Sequence, residues 1–364
     1  MSALRLALPT KDWEDEVLRF LGQQCGLRID RSNPRQYRAR MYGLPTGPAE
    51  VVFQRASDIF DEVNAGSVDL GITGYDIVAE HRAEEDDVVV VHQELGFRGC
   101  ALVVAVPEGW VDVTAISDLA EVAVELRGGG RQLRVATKYS NLTRQFLYDR
   151  GITYFDLVEV SGAIEAAPAL ETADIICDLT SSGVTLRENR LKTIAGGTVL
   201  ESQACLIGNR RSLVGDTERL EATRGLLELM EAYLRSRRQV SITANIRGES
   251  AEAVARRVFA TGGAAAGLRG PTVARVFPKD AAEPNQWFAL TVIVGEDVLL
   301  QAVQALRAVG ASEVTATQVR YVFEHRSWTF DALKRQLGVT GSSEPAPRPD
   351  RRRGPDASLA RGAG

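Results

Sequence analysis

The sequence predicts an α/β fold followed by a small βαββαβ module, and three observations carry that reading. Over the first two-thirds of the chain, short apolar runs alternate with amphipathic stretches, the pattern of strand–helix alternation and of mostly parallel sheets. From Gln239 to about Arg326 the order becomes strand, helix, strand, strand, helix, strand, as in a ferredoxin-like split βαβ unit. A length of 364 residues suits two or three domains.

Taken in order, the expected strands of the first part are Leu4–Leu8, Val51–Gln54, Leu70–Thr73, Val88–Val91, Leu102–Val106, Leu133–Thr137, Leu157–Val160, Ile175–Asp178 and Cys205–Ile207. The expected helices are Trp13–Gln24, Ala56–Ala65, Ser140–Arg150 and Leu220–Ser236. Ile59 and Val63 fall on one helical face, and Gly66 follows as a stop. The module reads as strand Val240–Ile246, helix Ala251–Ala260, strands Val273–Phe277 and Trp287–Val294, helix Val298–Val309 and strand Glu313–Val322. It is joined through Arg235-Ser236-Arg237-Arg238. The stretch Gly341–Gly364, rich in Pro, Gly and Arg, cannot bury a core and is expected to be disordered.

Composition excludes several classes. A net charge of -5 gives no global drive toward nucleic acid or anionic lipid. Four cysteines without C-x-x-C spacing argue against a zinc ribbon or a disulfide scaffold, and three histidines leave no multi-histidine metal site. No apolar run approaches 18 residues and no signal peptide is legible, so the expected compartment is the cytoplasm and no membrane partner is expected.

Four segments place polar loops at strand ends, where α/β sheets bind ligands. In Ala173-Asp174-Ile175-Ile176-Cys177-Asp178-Leu179-Thr180-Ser181-Ser182-Gly183-Val184-Thr185-Leu186 a strand ends in an acid and a Ser/Thr/Gly loop leads into a helical turn. It reads either as an anion cradle, with Asp178 accepting hydrogen bonds from sugar hydroxyls, or as an N-cap after a buried strand. Asp69-Leu70-Gly71-Ile72-Thr73-Gly74 puts glycines where a backbone approaches a ligand or merely turns. Leu8-Pro9-Thr10-Lys11 offers a lysine that reaches a phosphate or is a plain surface lysine, and Ala136-Thr137-Lys138-Tyr139-Ser140-Asn141 offers a second anion site or a simple cap. Gly128-Gly129-Gly130 lacks a phosphate-loop ending, and Glu84-Glu85-Asp86-Asp87 has no calcium-loop spacing.

Together these segments resemble the ATP phosphoribosyltransferase family. The resemblance rests on Asp69 to Gly74, on Gly96-Phe97-Arg98-Gly99-Cys100, on Ala136 to Leu142, and on the gapped run from Glu159 through Gly162, Glu165, Ala167-Pro168, Ala173-Asp174, Asp178-Leu179 and Ser182-Gly183-Val184-Thr185-Leu186. It covers about residues 4–210, and the module is similar to the regulatory domain of the family's long form, including Gly270-Pro271-Thr272-Val273 and Ala308-Val309-Gly310-Ala311. The resemblance implies a bilobed, periplasmic-binding-protein-like catalytic part: one lobe over 1–105 with 199–236 returning to it, the other over 106–198, then a regulatory ferredoxin-like domain over 237–328 and a tail over 341–364.

It also implies that ATP and phosphoribosyl pyrophosphate are condensed with magnesium, which has no dedicated protein ligands, in a homo-oligomer, a hexamer, inhibited by L-histidine. Asp178 is then expected on the ribose hydroxyls, with Thr180, Ser181, Ser182, Gly183, Val184 and Thr185 around the 5-phosphate. Lys11, Arg55, Gly71, Gly74, Arg98, Thr137 and Lys138 are expected on ATP or pyrophosphate. Glu159 and Asp174 are expected to orient the loop or magnesium, and Ala289 and Thr317 to line the effector site. Two departures stand out: the family's Lys-Gly-Arg-Leu reads Lys11-Asp12-Trp13-Glu14, and the regulatory strand that commonly carries an acid reads Thr243-Ala244-Asn245-Ile246. A prephenate dehydratase-like enzyme and a non-catalytic small-molecule sensor are the alternative readings.

Overall fold

The computed structural model describes residues 3–339, apart from 34, 84–85, 161, 262, 266, 269 and 278–285. The expected tail and Glu84-Glu85 of the acidic turn lie outside the described residues. In chain order the first part consists of β1 (Arg5–Pro9), a 3-10 turn (Lys11–Trp13), α1 (Glu14–Leu18) continuing as a π-helical turn (Arg19–Gln24), β2 (Arg28–Asp30), β3 (Arg38–Tyr42), β4 (Ala49–Gln54), α2 (Ala56–Asn64), β5 (Leu70–Gly74), α3 (Tyr75–His81) and β6 (Val88–His92). There follow β7 (Cys100–Pro107), α4 (Ile116–Gly128), β8 (Leu133–Thr137), α5 (Ser140–Asp149), β9 (Phe155–Glu159), β10 (Ile175–Thr180), α6 (Val184–Glu188), β11 (Leu191–Ser202), β12 (Ala204–Asn209), α7 (Arg210–Gly215) and α8 (Thr217–Ser236).

These strands form two sheets, one per lobe. The first runs β2-β3-β4-β1-β5-β12-β6 and the second β11-β7-β10-β8-β9. Parallel pairing holds for β1 with β4 and β5, and for β8 with β9 and β10. The expectation of mostly parallel sheets is corrected: β7, β11 and β12 belong to the segments that carry the chain between lobes, and they pair antiparallel. Because β7 lies whole in the second sheet, the chain leaves the first lobe before Cys100 rather than at 105, and it returns after Ser202 rather than at 199.

Burial explains the placement. Leu6, Ala7 and Leu8 of the central β1 are all fully buried, as a strand covered on both faces requires. The second lobe has its own core around Leu102, Val104, Leu133, Val135, Leu147 and Ile175. The edge strands β2 and β3 were not expected, because RID and RARMY carry no apolar run. Opposite charges face each other across them instead: Asp30 pairs with Arg40, Arg40 with Glu50 and Glu50 with Arg5.

The module contains β13 (Gln239–Arg247), α9 (Ala251–Ala260), β14 (Thr272–Val276), β15 (Trp287–Gly295), α10 (Leu299–Ala308) and β16 (Ala311–Gln318). Its sheet order β14-β15-β13-β16 is that of a ferredoxin-like fold, as expected. Val240, Ile242, Ala244 and Ile246 alternate inward against Val254 and Val258 of α9 and Leu306 of α10, and the alternate residues of β13 on the other face are polar. A last helix, α11 (Trp328–Leu337), was not expected and packs against the first lobe.

Candidate functional site

The carboxyl ends of the parallel strands carry the expected polar segments. In the first lobe, β1 leads into Lys11, β4 into Arg55 and β5 ends at Gly74. In the second, β8 leads into Lys138, β9 ends at Glu159, and β10 carries Asp178 and leads into Ser181. A cleft of about 590 Å³ opens where the chain crosses between lobes, lined by Tyr75, Gln93, Glu94, Gly96, Gly99, Cys100, Ala101, Thr180, Ser181, Glu201, Ser202 and Gln203.

Asp178 is half-buried on β10. Burial pushes its carboxyl above the ordinary value, and the Leu179 N–H and the nearby Lys138 pull the other way. The following loop turns at Gly183 in the left-handed region, and its N–H donates to Thr180 Oγ1 at 3.0 Å. Ser181, Ser182, Val184 and Thr185 are exposed around that turn. Arg187, not among the expected residues, comes up from α6: one of its guanidinium nitrogens lies 3.2 Å from where a Cβ on Gly183 would stand.

Across the cleft, Lys11 and Arg98 both adopt left-handed backbone angles, a conformation that costs a non-glycine residue of order 1 kcal/mol or more. The Arg98 guanidinium lies 5.0 Å over the Trp13 ring and 3.3 Å from Glu16. Trp13, where the family carries an arginine, thus makes a platform for a cation from the crossover. Arg55, exposed at the start of α2, stands on the same strand-end edge.

Three expected residues are placed elsewhere. Gly71 is buried within β5, and a Cβ there would stand 2.4 Å from Ile59 and 2.9 Å from Val63, so it lets α2 lie close on the sheet. Thr137 is wholly buried, its hydroxyl 3.2 Å from that of Thr143 and accepting the Tyr139 N–H. Asp174 precedes β10 at the opposite end from the cleft, where it binds Arg131 and Arg134. Asp174 stands before the strand and so at its amino end, and it belongs to the expected set only through the resemblance. Glu159 is exposed at the end of β9, level with Thr137.

In the module, Ala289 pairs with Asn245 and Thr317 with Ser241. They share the open sheet face, but four residues of β13 separate their ranks, about 13 Å, so they do not form one small-molecule site. Glu313, on a left-handed residue of β16, accepts a hydrogen bond from Asn245 at 2.6 Å and brings an acid to the strand that lacks one.

Two buried acids went unrecognised. Asp76 and Glu80 lie four residues apart on α3, a helix outside the expected set. Among the described residues no cluster of three or more His, Cys, Asp or Glu is placed to hold a metal, and no helix is long and apolar enough to cross a membrane.

Known proteins resemble this chain over most of its length. Residues 55–231 match the family model described as ATP phosphoribosyltransferase, and residues 236–321 match that of the HisG C-terminal domain. Chloroplastic ATP phosphoribosyltransferase 2 of Arabidopsis thaliana is 40% identical over 339 residues, which is 92% of this chain and 81% of the plant protein. An ATP phosphoribosyltransferase of Brucella suis is 45% identical over 213 residues, 58% of this chain and 91% of that protein. Among solved structures, the ATP phosphoribosyl transferase (HisG:HisZ) complex from Thermotoga maritima aligns with a TM-score of 0.47 at 22% identity, over 63% of this chain and 98% of that one. The fold and the matched models define a two-lobed pentosyltransferase with an appended ferredoxin-like domain. The chain belongs to the ATP phosphoribosyltransferase family, in its long form, and serves the first step of histidine biosynthesis.

Proposed function

We propose that the chain condenses ATP with phosphoribosyl pyrophosphate to N1-(5-phosphoribosyl)-ATP and pyrophosphate in the cytoplasm, in the cleft between its lobes. The observation that carries the reading is the β10 end. A half-buried carboxylate, Asp178, stands immediately before a Thr/Ser/Gly loop that opens on the inter-lobe cleft.

In this reading Asp178 accepts hydrogen bonds from the ribose hydroxyls, and Thr180 to Thr185 with Arg187 hold the 5-phosphate. Lys11, Arg55, Arg98 and Lys138 meet the ATP phosphates or the leaving pyrophosphate, and Glu159 orients the loop. Adenine N1 attacks the anomeric carbon, the bond to pyrophosphate breaks, and its electron pair leaves with the pyrophosphate. The transition state is oxocarbenium-like, so catalysis consists mainly of alignment and of neutralising the leaving group. Glu94 and Glu201 in the cleft lining offer hard carboxylate oxygens that would help hold magnesium brought in with the substrates, and the ion would supply neutralisation of charge on the leaving pyrophosphate. The module reads as the binding domain for an L-histidine effector, and the working assembly as a homo-hexamer; Glu313 beside Asn245 supports an amine-binding role.

The test is ultraviolet detection of phosphoribosyl-ATP from the purified protein with ATP, phosphoribosyl pyrophosphate and magnesium. Asp178→Ala should weaken use of phosphoribosyl pyrophosphate roughly 10- to 150-fold, the worth of a hydrogen bond to a charged group. An unchanged KM and kcat would remove Asp178 from the site, and binding of both substrates without product would favour a sensor.

A further inference from the structure

Two buried carboxylates of the first lobe reach across to one turn of the second. Asp76, 4% exposed in the first turn of α3, accepts from the Tyr139 hydroxyl at 2.8 Å and from Ser202 Oγ at 2.7 Å. Ser202 in turn accepts the Asp76 N–H at 2.9 Å. One turn further along α3, Glu80, 6% exposed, accepts the Asn141 N–H at 2.8 Å and the Leu142 N–H at 3.0 Å. The Asn141 side chain donates back to the Glu80 carbonyl at 3.0 Å. Glu80 therefore caps α5 from another lobe, with its charge at the positive end of that helix.

Among the described residues neither acid is paired with a cation in a salt bridge. Burying a carboxylate is costly unless hydrogen bonds compensate, and here most of the compensation comes from across the cleft. Gly74 belongs to the same device, since a Cβ there would stand 2.4 Å from Asp76 Oδ1. Burial and the neighbouring Asp76 push the Tyr139 hydroxyl pKa far up, so it remains a donor.

We propose that Asp76, Glu80 and Tyr139 are positioning residues that lock the first lobe to the Thr137–Leu142 turn and so set the alignment of the two substrates. This rests on the reading that phosphoribosyl pyrophosphate is held by the second lobe and ATP mainly by the first. Each substrate keeps its own lobe when the lock is broken, so affinity for each survives. What is lost is the near-attack arrangement, in which the reacting atoms must lie about 3–3.5 Å apart. Lys138, immediately before the anchored Tyr139, moves with the turn.

The experiment is steady-state kinetics on Tyr139→Phe and Glu80→Gln, each with a thermal melt, and on the double variant Asp76→Asn/Tyr139→Phe. The lock predicts that each single variant lowers kcat roughly tenfold. KM for either substrate should stay within about threefold, because uniform binding is not what the lock supplies. The double variant should be little worse than Tyr139→Phe alone, because both of its changes break the same contact. An unchanged kcat in folded variants overturns the proposal. So does a raised KM with kcat intact, which would put Tyr139 on a substrate, or a fall in kcat that only follows the unfolded fraction. If Glu80→Gln does not fold, Tyr139→Phe decides alone, because Phe keeps the ring. Asp178→Ala run alongside separates the two readings: if it leaves the KM for phosphoribosyl pyrophosphate untouched, the substrate assignment fails whatever the lock does.

Discussion

Asp178 and Asp69 are both acids at β-strands, yet their surroundings move them in opposite directions. At Asp178, burial dominates and the carboxyl is raised. At Asp69, burial also pushes upward, but hydrogen bonds from Arg5 and Ser212 outweigh it, so the group is lowered. A raised acid binds its proton more tightly in the folded state, so its stabilising contribution is present at low pH and is lost as pH rises through the folded value. Asp178 is therefore a stability liability at neutral pH, kept where a binding group is wanted. Asp178→Asn should raise the melting temperature at pH 7 while weakening use of phosphoribosyl pyrophosphate. In the wild type, KM for that substrate should climb as pH falls, beginning above the range of an ordinary aspartate. A melting temperature at pH 7 that is unchanged or lower in Asp178→Asn would show that burial does not strain this carboxylate. Asp69 contributes with the opposite sign: its stabilisation is present above its unfolded value, near 3.8, and is lost as pH falls through its lower folded value.

The two lobes tie their strands together with the same device. Asp69 precedes β5 and accepts from the Arg5 backbone at 2.8 Å and from its guanidinium at 2.6 Å, joining β5 to β1. Asp174 precedes β10 and accepts from the Arg134 backbone at 2.9 Å and from its guanidinium at 3.0 Å, joining β10 to β8. The first clamp is the more deeply buried, with Asp69 fully covered and Arg219 adding a bond at 2.9 Å, whereas Arg131 and Arg134 stay substantially exposed. Urea unfolding should show Asp69→Asn costing about 3–5 kcal/mol, as for a broken buried pair. Asp174→Asn should cost about 1–2 kcal/mol, because exposed guanidiniums are screened. Equal costs would mean that burial does not set the strength of these clamps. The clamps also mark what could be read in advance. Apolar runs located β1, β4, β5, β8 and β10, and the Ser/Thr/Gly loop after Asp178 was legible because strand and turn chemistry are local. Strands β2 and β3 stayed hidden because their partners are charges on neighbouring strands. Asp76 and Glu80 are not legible in the sequence because their partners are about 61 to 126 residues away.

At the scale of the molecule, the ferredoxin-like module is attached to the first lobe at both of its ends. It is entered through α8, where the Arg237 guanidinium donates to the Gly96 carbonyl at 2.5 Å in the crossover. It is left by a segment that runs back along α8: Ser236 Oγ donates to the Arg320 carbonyl at 2.6 Å, the Val322 N–H donates to Ala232 at 3.0 Å, and Arg235 donates to the Val322 carbonyl at 2.8 Å. Ser327 then caps α11 by accepting the Phe330 N–H, and Gly338, left-handed, follows its end. Between these stops Phe330, Leu333 and Leu337 enter the first lobe's core beside Val89, Leu213 and Leu227. Glu231 of α8, 8% exposed, accepts the Thr329 N–H at 3.0 Å. The matched family models end at 231 and 321, so this helix lies beyond both of them, yet it completes a core to which the first model's residues contribute. Full burial of a large apolar side chain contributes about 1.5–3 kcal/mol, and three of them set an upper bound of several kcal/mol on what α11 contributes. Ending the chain after Val339 should leave turnover and urea midpoint unchanged. Ending it after Arg326 should lower the stability of the first lobe by several kcal/mol, expose Glu231 and reduce the active fraction at 37 °C, while the strands of the module remain complete. Coincident unfolding curves for the two truncations would show that α11 is a passenger on the first lobe, whereas an early transition in the shorter chain alone would identify it as the strap that closes the module's second attachment.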